Sequence, residues 1–239
     1  FWKEYPAISH LGMTFAEMAN PRWFDEKPKL AWAFYGHRFN LYNKTKPHDG
    51  FNILLKHAEK KQFGYFVFTS NVDGQFQKAA YDDDFIEEVH GSINHLQCSV
   101  PCTSEIWKAG DLQIEINKEL FEAQEPFPKC PKCGAIARPN ILMFGDWTWL
   151  SQRSNEQGYK FDRWLRSLKE NAARPVIIEM GAGRAVPTVR MKSQRLAQEF
   201  STELVRINPR DFQTSGSVKG IEIPEGSLDG VKKIFEHIQ

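Results

Sequence analysis

Four cysteines constrain this chain more than any other feature. Cys98, Cys102, Cys130 and Cys133 are the only ones in 239 residues, and they form two close pairs, C-x3-C and C-x2-C. Four thiolates at such spacing suit a tetrahedral, all-sulfur zinc site, so the 98–133 segment must fold back and bring both pairs to one point. Pro128, Pro131 and Gly134 beside the second pair allow the tight turn that aims two sulfurs at one metal. The alternatives are two disulfides or free thiols, and the lack of a secretion signal argues against disulfides. With every position filled by sulfur, the metal would hold structure and leave no open site for chemistry.

The chain on either side of this module repeats one theme, a short apolar run that stops at small polar residues. Tyr65 to Phe68 runs into Thr69-Ser70-Asn71-Val72-Asp73-Gly74, and Ile86 to Val89 into His90-Gly91-Ser92. Arg138 to Phe144 closes at Gly145-Asp146, Pro175 to Met180 at Gly181-Ala182-Gly183, and Glu203 to Ile207 at Asn208. Such runs have the length and the aromatic and β-branched content of buried strands. In an open α/β sheet, ligands bind outside the carboxyl ends of the strands, so these ends aim side chains at a site. The small residues at 181–183 let a backbone approach a ligand closely, and their amides suit phosphate or ribose oxygens. The turn is not a full G-x-G-x-x-G, because Val186 stands last. A histidine at a strand end, ordinarily near pKa ~6.5, is suited to act as a base near neutral pH. Taken alone, each strand end is also ordinary turn chemistry.

Helical patterns lie between the strands. One starts at Pro28 and carries Leu30, Trp32, Ala33, Phe34, Phe39 and Leu41; a second opens at Pro47-His48-Asp49. Tyr159–Leu168 and Leu196–Phe200 read as helix faces, and Ser227 as the cap of a last helix through Ile238. The Asp82-Asp83-Asp84 run reads as a solvated turn, Asp111–Glu125 as a polar insert without clear period, and His95 as a zinc ligand that four cysteines make unnecessary. Alternating strands and helices predict an α/β fold: a doubly wound parallel-sheet, Rossmann-like NAD-binding domain with a small inserted four-cysteine zinc module and a helical module. The expected division is residues 1–59 for the helical module and the start of the NAD-binding region, 60–96 and 138–239 for the Rossmann-like domain, and 97–137 for the zinc-binding module. The chain opens Phe1-Trp2-Lys3 rather than at Met, so an upstream segment is expected. The balance of 31 basic against 30 acidic residues offers no electrostatic case for nucleic acid or an anionic membrane. No apolar stretch approaches the ~20 residues of a membrane span. The expected location is cytoplasmic, or nuclear in a eukaryote.

The combination resembles the sirtuin family of NAD-dependent protein deacylases. The matching residues are Thr69-x-Asn71-Val72-Asp73-Gly74, His90-Gly91-Ser92, the two cysteine pairs, Arg138-Pro139-x-Ile141-Leu142-x-Phe144-Gly145, Gly181 and Asn208. They run in order over nearly the whole chain from about residue 20, and Phe1-Trp2 looks like the segment after the family's cofactor loop. The resemblance implies transfer of an acyl group from a modified lysine to the ADP-ribose of NAD, with release of nicotinamide. It implies Asp73 on the nicotinamide carboxamide, Asn71 ordering the ribose and its water, and His90 as general base on a ribose hydroxyl. Ser70 joins them on the cofactor, while Gly181, Ala182, Gly183 and Asn208 take its adenosine half. Leu142, Phe144 and Gly145 would meet an acyl-lysine protein or peptide by β-augmentation, with Phe144 lining the acyl tunnel. Three residues depart from the family pattern: Ser70 for Gln, Gly181-Ala182-Gly183 for Gly-Thr/Ser-Ser, and Asp146 for Glu. Other readings are an NAD-dependent protein ADP-ribosyltransferase or NAD hydrolase on the same scaffold, and a non-enzymatic zinc-ribbon module. The last needs a basic face, yet Lys108, Lys118, Lys129 and Lys132 are offset by Glu105, Asp111, Glu115, Glu119, Glu122 and Glu125.

Overall fold

The computed structural model describes residues 12–214, 216 and 218–236. Phe1, Trp2 and Ile238 lie outside them. Its helices are α1 (Phe15–Met18), α2 (Trp23–Glu26), α3 (Pro28–Lys44), α4 (Asp49–Ala58), α5 (Gln75–Lys78), α6 (Gln152–Glu170), α7 (Thr188–Glu199) and α8 (Ser227–Phe235). Its strands are β1 (Val67–Thr69), β2 (Ile86–Glu88), β3 (Gly91–Cys98), β4 (Trp107–Lys108), β5 (Ile116–Asn117), β6 (Glu122–Ala123), β7 (Ala137–Ile141), β8 (Ile177–Met180), β9 (Leu204–Ile207) and β10 (Gly220–Ile223). The chain divides into two compact units. The first takes the described residues up to Lys46, with Asn71–Gln75 and Glu88–Glu156; the second takes Pro47–Ser70, Phe76–Glu87 and the described residues from Gln157 on.

In the first unit, β3 is the centre of an antiparallel β4-β3-β7 sheet, with a shift of register between Ser92 and Leu96. Pro28 starts α3 at a position where its missing N–H costs nothing. The helix buries Trp32, Phe34, Tyr35 and Phe39 in one core with Ile93, Leu96 and Ile141. Trp32 Nε1 donates to the Ala137 carbonyl at 3.2 Å, so the core tryptophan leaves no unpaired donor. The 111–127 stretch is less polar in effect than its sequence suggests. Ile114, Phe121, Ala123 and Phe127 are buried in that same core. Ile114 sits so close to Gly36 that a Cβ there would lie 2.5 Å from its Cγ2, and Asn40 Nδ2 donates to the Ile114 carbonyl at 2.8 Å. The cysteine segment is thus docked on α3 by its own apolar residues.

The second unit is doubly wound. Strands β8, β9 and β10 are parallel, in the order β10-β9-β8, with α7 connecting β8 to β9. Alternate residues of β9 point to opposite faces. Leu204 packs with Ala197 of α7, while Val205 and Ile207 pack with Val231 of α8 and Ile53 and Leu54 of α4. Gly230 allows this approach, since a Cβ there would lie 2.3 Å from Ile207 Cγ2. β1 pairs with β2 and is covered in the same way. Tyr65 and Val67 join Phe51 and Leu55 of α4 around Ala79, Tyr81 and Ile86, whereas Phe66 and Phe68 meet Phe161 of α6. The last helix corrects one reading: Gly226 is the N-cap and Ser227 the first helical residue, with no side-chain cap bond. Ser227 begins the helix without capping it.

Candidate active site and metal centre

The four cysteines converge. Cys98 ends β3, Cys130 is buried beside it, and Cys102 and Cys133 sit on the exposed side. All four sulfurs lie within 4.8 Å of one another, and the Cys98–Cys133, Cys98–Cys102 and Cys102–Cys130 separations are 3.6 Å. A tetrahedron of Zn–S bonds near ~2.3 Å has edges of about 3.8 Å, so the cluster matches zinc in size as well as in donor set. The second pair forms a knuckle: Gly134 N–H donates to the Cys130 carbonyl at 3.0 Å, with Gly134 at φ +72°. A four-thiolate site has no free position, so zinc here braces the first unit.

In the same unit, two backbone bonds assemble the predicted catalytic residues. Ile93 N–H donates to the Val72 carbonyl at 2.9 Å, which sets the Asn71–Asp73 segment against the start of β3. Leu142 N–H donates to the His90 carbonyl at 3.0 Å, which sets the end of β7 against His90. Between them stands Gly91, at φ +77°, where a Cβ would lie 2.0 Å from the Asn140 carbonyl oxygen. Only glycine fits there, and it fixes the direction in which the half-buried His90 leaves the backbone. Asp73 Oδ1 accepts from Gln75 N–H at 3.0 Å, and Gln75 Nε2 donates to the Tyr42 carbonyl at 3.0 Å, so the turn is anchored to α3.

The 142–150 loop rests on a buried polar network. Arg138 pairs with Asp146 at 2.9 Å with both side chains inaccessible. Asp146 also accepts from Thr148 N–H at 3.1 Å. Gln97 Oε1 accepts from Asn140 Nδ2 at 2.9 Å and from Leu150 N–H at 3.1 Å, and Gln97 Nε2 donates to the Thr148 carbonyl at 2.8 Å. Above this network β7 has ended at Ile141, and Phe144-Gly145 form a turn with Gly145 at φ +66°. Phe144 N–H donates to the Ala19 carbonyl at 2.9 Å, and its ring meets Phe15 edge-on. Leu142 and Phe144 stay exposed, and Trp147 is 96% accessible.

The second unit holds the other predicted residues. Gly181, at φ +64°, donates to the Ile207 carbonyl at 3.0 Å and turns the chain off β8. The Ala182 carbonyl accepts from Asn208 Nδ2 at 3.1 Å and from Arg190 of α7 at 2.9 Å. Asn208 Oδ1 accepts from Arg210 and Asp211 N–H at 3.0 and 2.8 Å. Behind them Arg206 and Glu179 pair at 2.6 Å, fully buried, and Ser193 donates to the same carboxylate. Ser70 directly follows β1, half-buried.

The profile of the Sir2 family matches residues 10–161. The chain belongs to the Sir2 family. An NAD-dependent protein deacylase of Aquifex aeolicus (strain VF5) is 25% identical over 228 residues, which cover 93% of this chain and 82% of that protein. One from Pyrococcus furiosus is 32% identical over 146 residues, covering 61% of this chain and 51% of the relative, so this match spans about half of its length. Among solved structures, a Sir2 homologue in complex with NAD superposes with a TM-score of 0.66 at 22% identity, over 93% of this chain and 77% of that one. Sir2 bound to an acetylated peptide gives 0.63 at 19%, over 92% and 82%. These two likenesses establish the α/β Sir2 fold.

Within the Sir2 fold, sequence reading missed the supports of the predicted residues. The departure of Asp146 from Glu proves compatible with a buried pair, since its carboxylate reaches Arg138. Gln97, Asn140 and Arg190 were not singled out, and a buried polar residue on a strand or helix otherwise apolar is the signal that marks them. Burial shifts His95 in the first unit and Glu87 in the second. Burial, then the Arg153 and Lys108 charges, push His95 down to about 4. Burial pushes the Glu87 carboxyl up to about 7 against the nearby Lys192 ammonium.

Proposed function

We propose that this Sir2 chain is an NAD-dependent protein lysine deacylase: it transfers the acyl group of an acyl-lysine to ADP-ribose and releases nicotinamide. The observation that carries the reading is the pair of backbone bonds that hold Asn71–Asp73, His90 and Leu142 in one constellation. The names of the relatives support it, since the curated ones are NAD-dependent protein deacylases and solved neighbours hold acetylated or propionylated peptides. When bound, NAD supplies an anomeric carbon with a departing nicotinamide. The chain's part is positioning and proton transfer. Asp73 is to take the carboxamide, Asn71 to order the ribose and its water, and His90 to accept a ribose hydroxyl proton at an imidazole nitrogen. Ser70, Gly181, Ala182, Gly183 and Asn208 are to contact the rest of the dinucleotide. Leu142, Phe144 and Gly145 are to receive the acyl-lysine segment. The residues fit an organic anion better than a metal: small side chains, backbone amides and one histidine stand at the strand ends. Zinc remains structural at the four thiolates, and the setting we propose is the cytoplasm. Among the described residues no helix is long and apolar enough to cross a membrane.

The test incubates the protein with NAD and an acetyl-lysine peptide and follows products by mass spectrometry. Deacylated peptide and O-acyl-ADP-ribose are expected, and His90→Ala should lower turnover by ~10²–10⁴-fold while NAD binding survives. ADP-ribosylated protein or free ADP-ribose, with the peptide untouched, would move the assignment to transferase or hydrolase.

A further inference from the structure

The turn after β8 carries no hydroxyl, yet the dinucleotide reading needs it to present a fixed donor. We infer that Arg190 is the positioning residue that makes it one, by locking the 182–183 peptide so that Gly183 N–H faces the adenosine-diphosphate half of the cofactor. This rests on the proposed use of NAD. Arg190 stands on α7, only 8% accessible, and donates to three carbonyls: Ala182 at 2.9 Å, Asp211 at 2.6 Å and Gln213 at 3.0 Å. Asn208 Nδ2 adds a second bond to the Ala182 oxygen at 3.1 Å, so both lone pairs of that carbonyl are taken from inside the fold. In a planar trans peptide the C=O and the next N–H point in opposite directions. With Ala182 O turned inward, Gly183 N–H is turned outward. Gly181 and Gly183 are exposed, and a Cβ built on either meets nothing within 4 Å, so the turn leaves room for a ligand.

The same guanidinium also fixes the loop after β9, whose Gln213 carbonyl accepts in addition from Arg206 at 2.6 Å. One buried side chain therefore sets the turns that follow two adjacent parallel strands. Three carbonyl acceptors spread around one fork suit arginine and not the single ammonium of lysine. The outward amide offers a hydrogen bond to a ribose or phosphate oxygen without a side chain, which is how a Gly-Ala-Gly turn can do without serine or threonine.

The experiment compares wild type, Arg190→Met and Arg190→Lys. It reads ADP-ribose affinity by calorimetry, and kcat with KM for NAD and for an acetyl-lysine peptide. Loss of a charged donor predicts a rise of roughly 10–100-fold in the ADP-ribose Kd and the NAD KM of Arg190→Met. The kcat at saturating NAD should stay within about threefold, and the peptide KM should not move, a split that mere loosening of the fold would not give. Arg190→Lys should fall between, and it decides the matter if Arg190→Met does not fold. Wild type that binds ADP-ribose, with folded variants binding equally well, overturns this inference alone. Wild type that binds neither NAD nor ADP-ribose overturns the proposed function and this inference with it.

Discussion

Among the described residues, Arg138–Asp146 in the first unit and Arg206–Glu179 in the second are arginine–carboxylate pairs with both side chains inaccessible, and the two brace different things. In the first unit Arg138, on β7, reaches Asp146 eight residues on, in the loop that follows the strand. In the second, Arg206 and Glu179 sit on neighbouring parallel strands, 27 residues apart. A pair within one strand and its loop fixes the loop. A pair across two strands fixes the sheet end and leaves the loops to others, which is why Arg190 and Asn208 are needed there. The contrast follows from architecture. The second unit has helices on both faces of a parallel sheet, so apolar burial frames it. The first has short antiparallel strands and long irregular stretches, and it draws on polar bonds and a metal cluster to hold them.

The strongest way to break the comparison is to remove the metal. Structural zinc typically contributes ~10–16 kcal/mol, as much as the ~5–15 kcal/mol stability of a whole domain. Cys130→Ser, or a strong chelator, should therefore unfold the first unit. Native-state hydrogen exchange should find β3 and β7 deprotected while β8, β9 and β10 keep their protection. Equal loss of protection in both sets would show that the metal braces the whole chain and not one unit.

A smaller effect separates the two ion pairs. Asp146→Ala and Glu179→Ala each leave a buried guanidinium without its partner, which costs about 3–5 kcal/mol. Their kinetic signatures should differ. Asp146→Ala frees Thr148 and the 142–150 loop, and should raise the KM of the acyl peptide about tenfold with little change for NAD. Glu179→Ala also frees Ser193 of α7 and should do the reverse. If both variants weaken both substrates alike, the pairs brace the fold as a whole.

What could be read in the sequence tracks how local the determinant is. The cysteine spacing, Pro28 at the start of α3, and the apolar runs of β8 and β9 are local, and they lie where they were expected. α7 was visible only from Leu196 on, whereas it starts at Thr188. Its buried side includes Arg190 and Ser193, so it shows no apolar stripe to read, and Pro187 stands at its cap position without a cap bond. The Asp111–Glu125 stretch reads as a polar insert, yet Ile114 and Phe121 reach the core from irregular backbone and Ala123 from the two-residue β6, too little regular structure to leave a period in the sequence. Gln97 and Asn140 meet across 43 residues through the β3–β7 register, which no single stretch encodes.

The smallest predicted effect sets the units against each other in pH. In the first unit His95 falls from 6.5 to about 4 on folding, chiefly by burial. The unfolded chain binds the proton more readily, so the stability linked to His95 is complete above pH 6.5 and is lost as pH drops toward 4. In the second unit Glu87 rises from 4.5 to about 7, again chiefly by burial, and its Oε2 has no partner among the described residues. Here the folded chain holds the proton more readily. Its contribution is complete below pH 4.5 and is lost as pH rises to 7. Glu87→Gln should therefore stabilise the protein at pH 8 and not at pH 4.5. Because the carboxyl is partly solvated, the gain should be only about 1 kcal/mol. Urea unfolding of wild type and Glu87→Gln at the two pH values measures it. A gain of equal size at both would trace it to packing against Gly158, whose Cβ position lies 3.2 Å from Glu87 Oε1, and not to the buried charge.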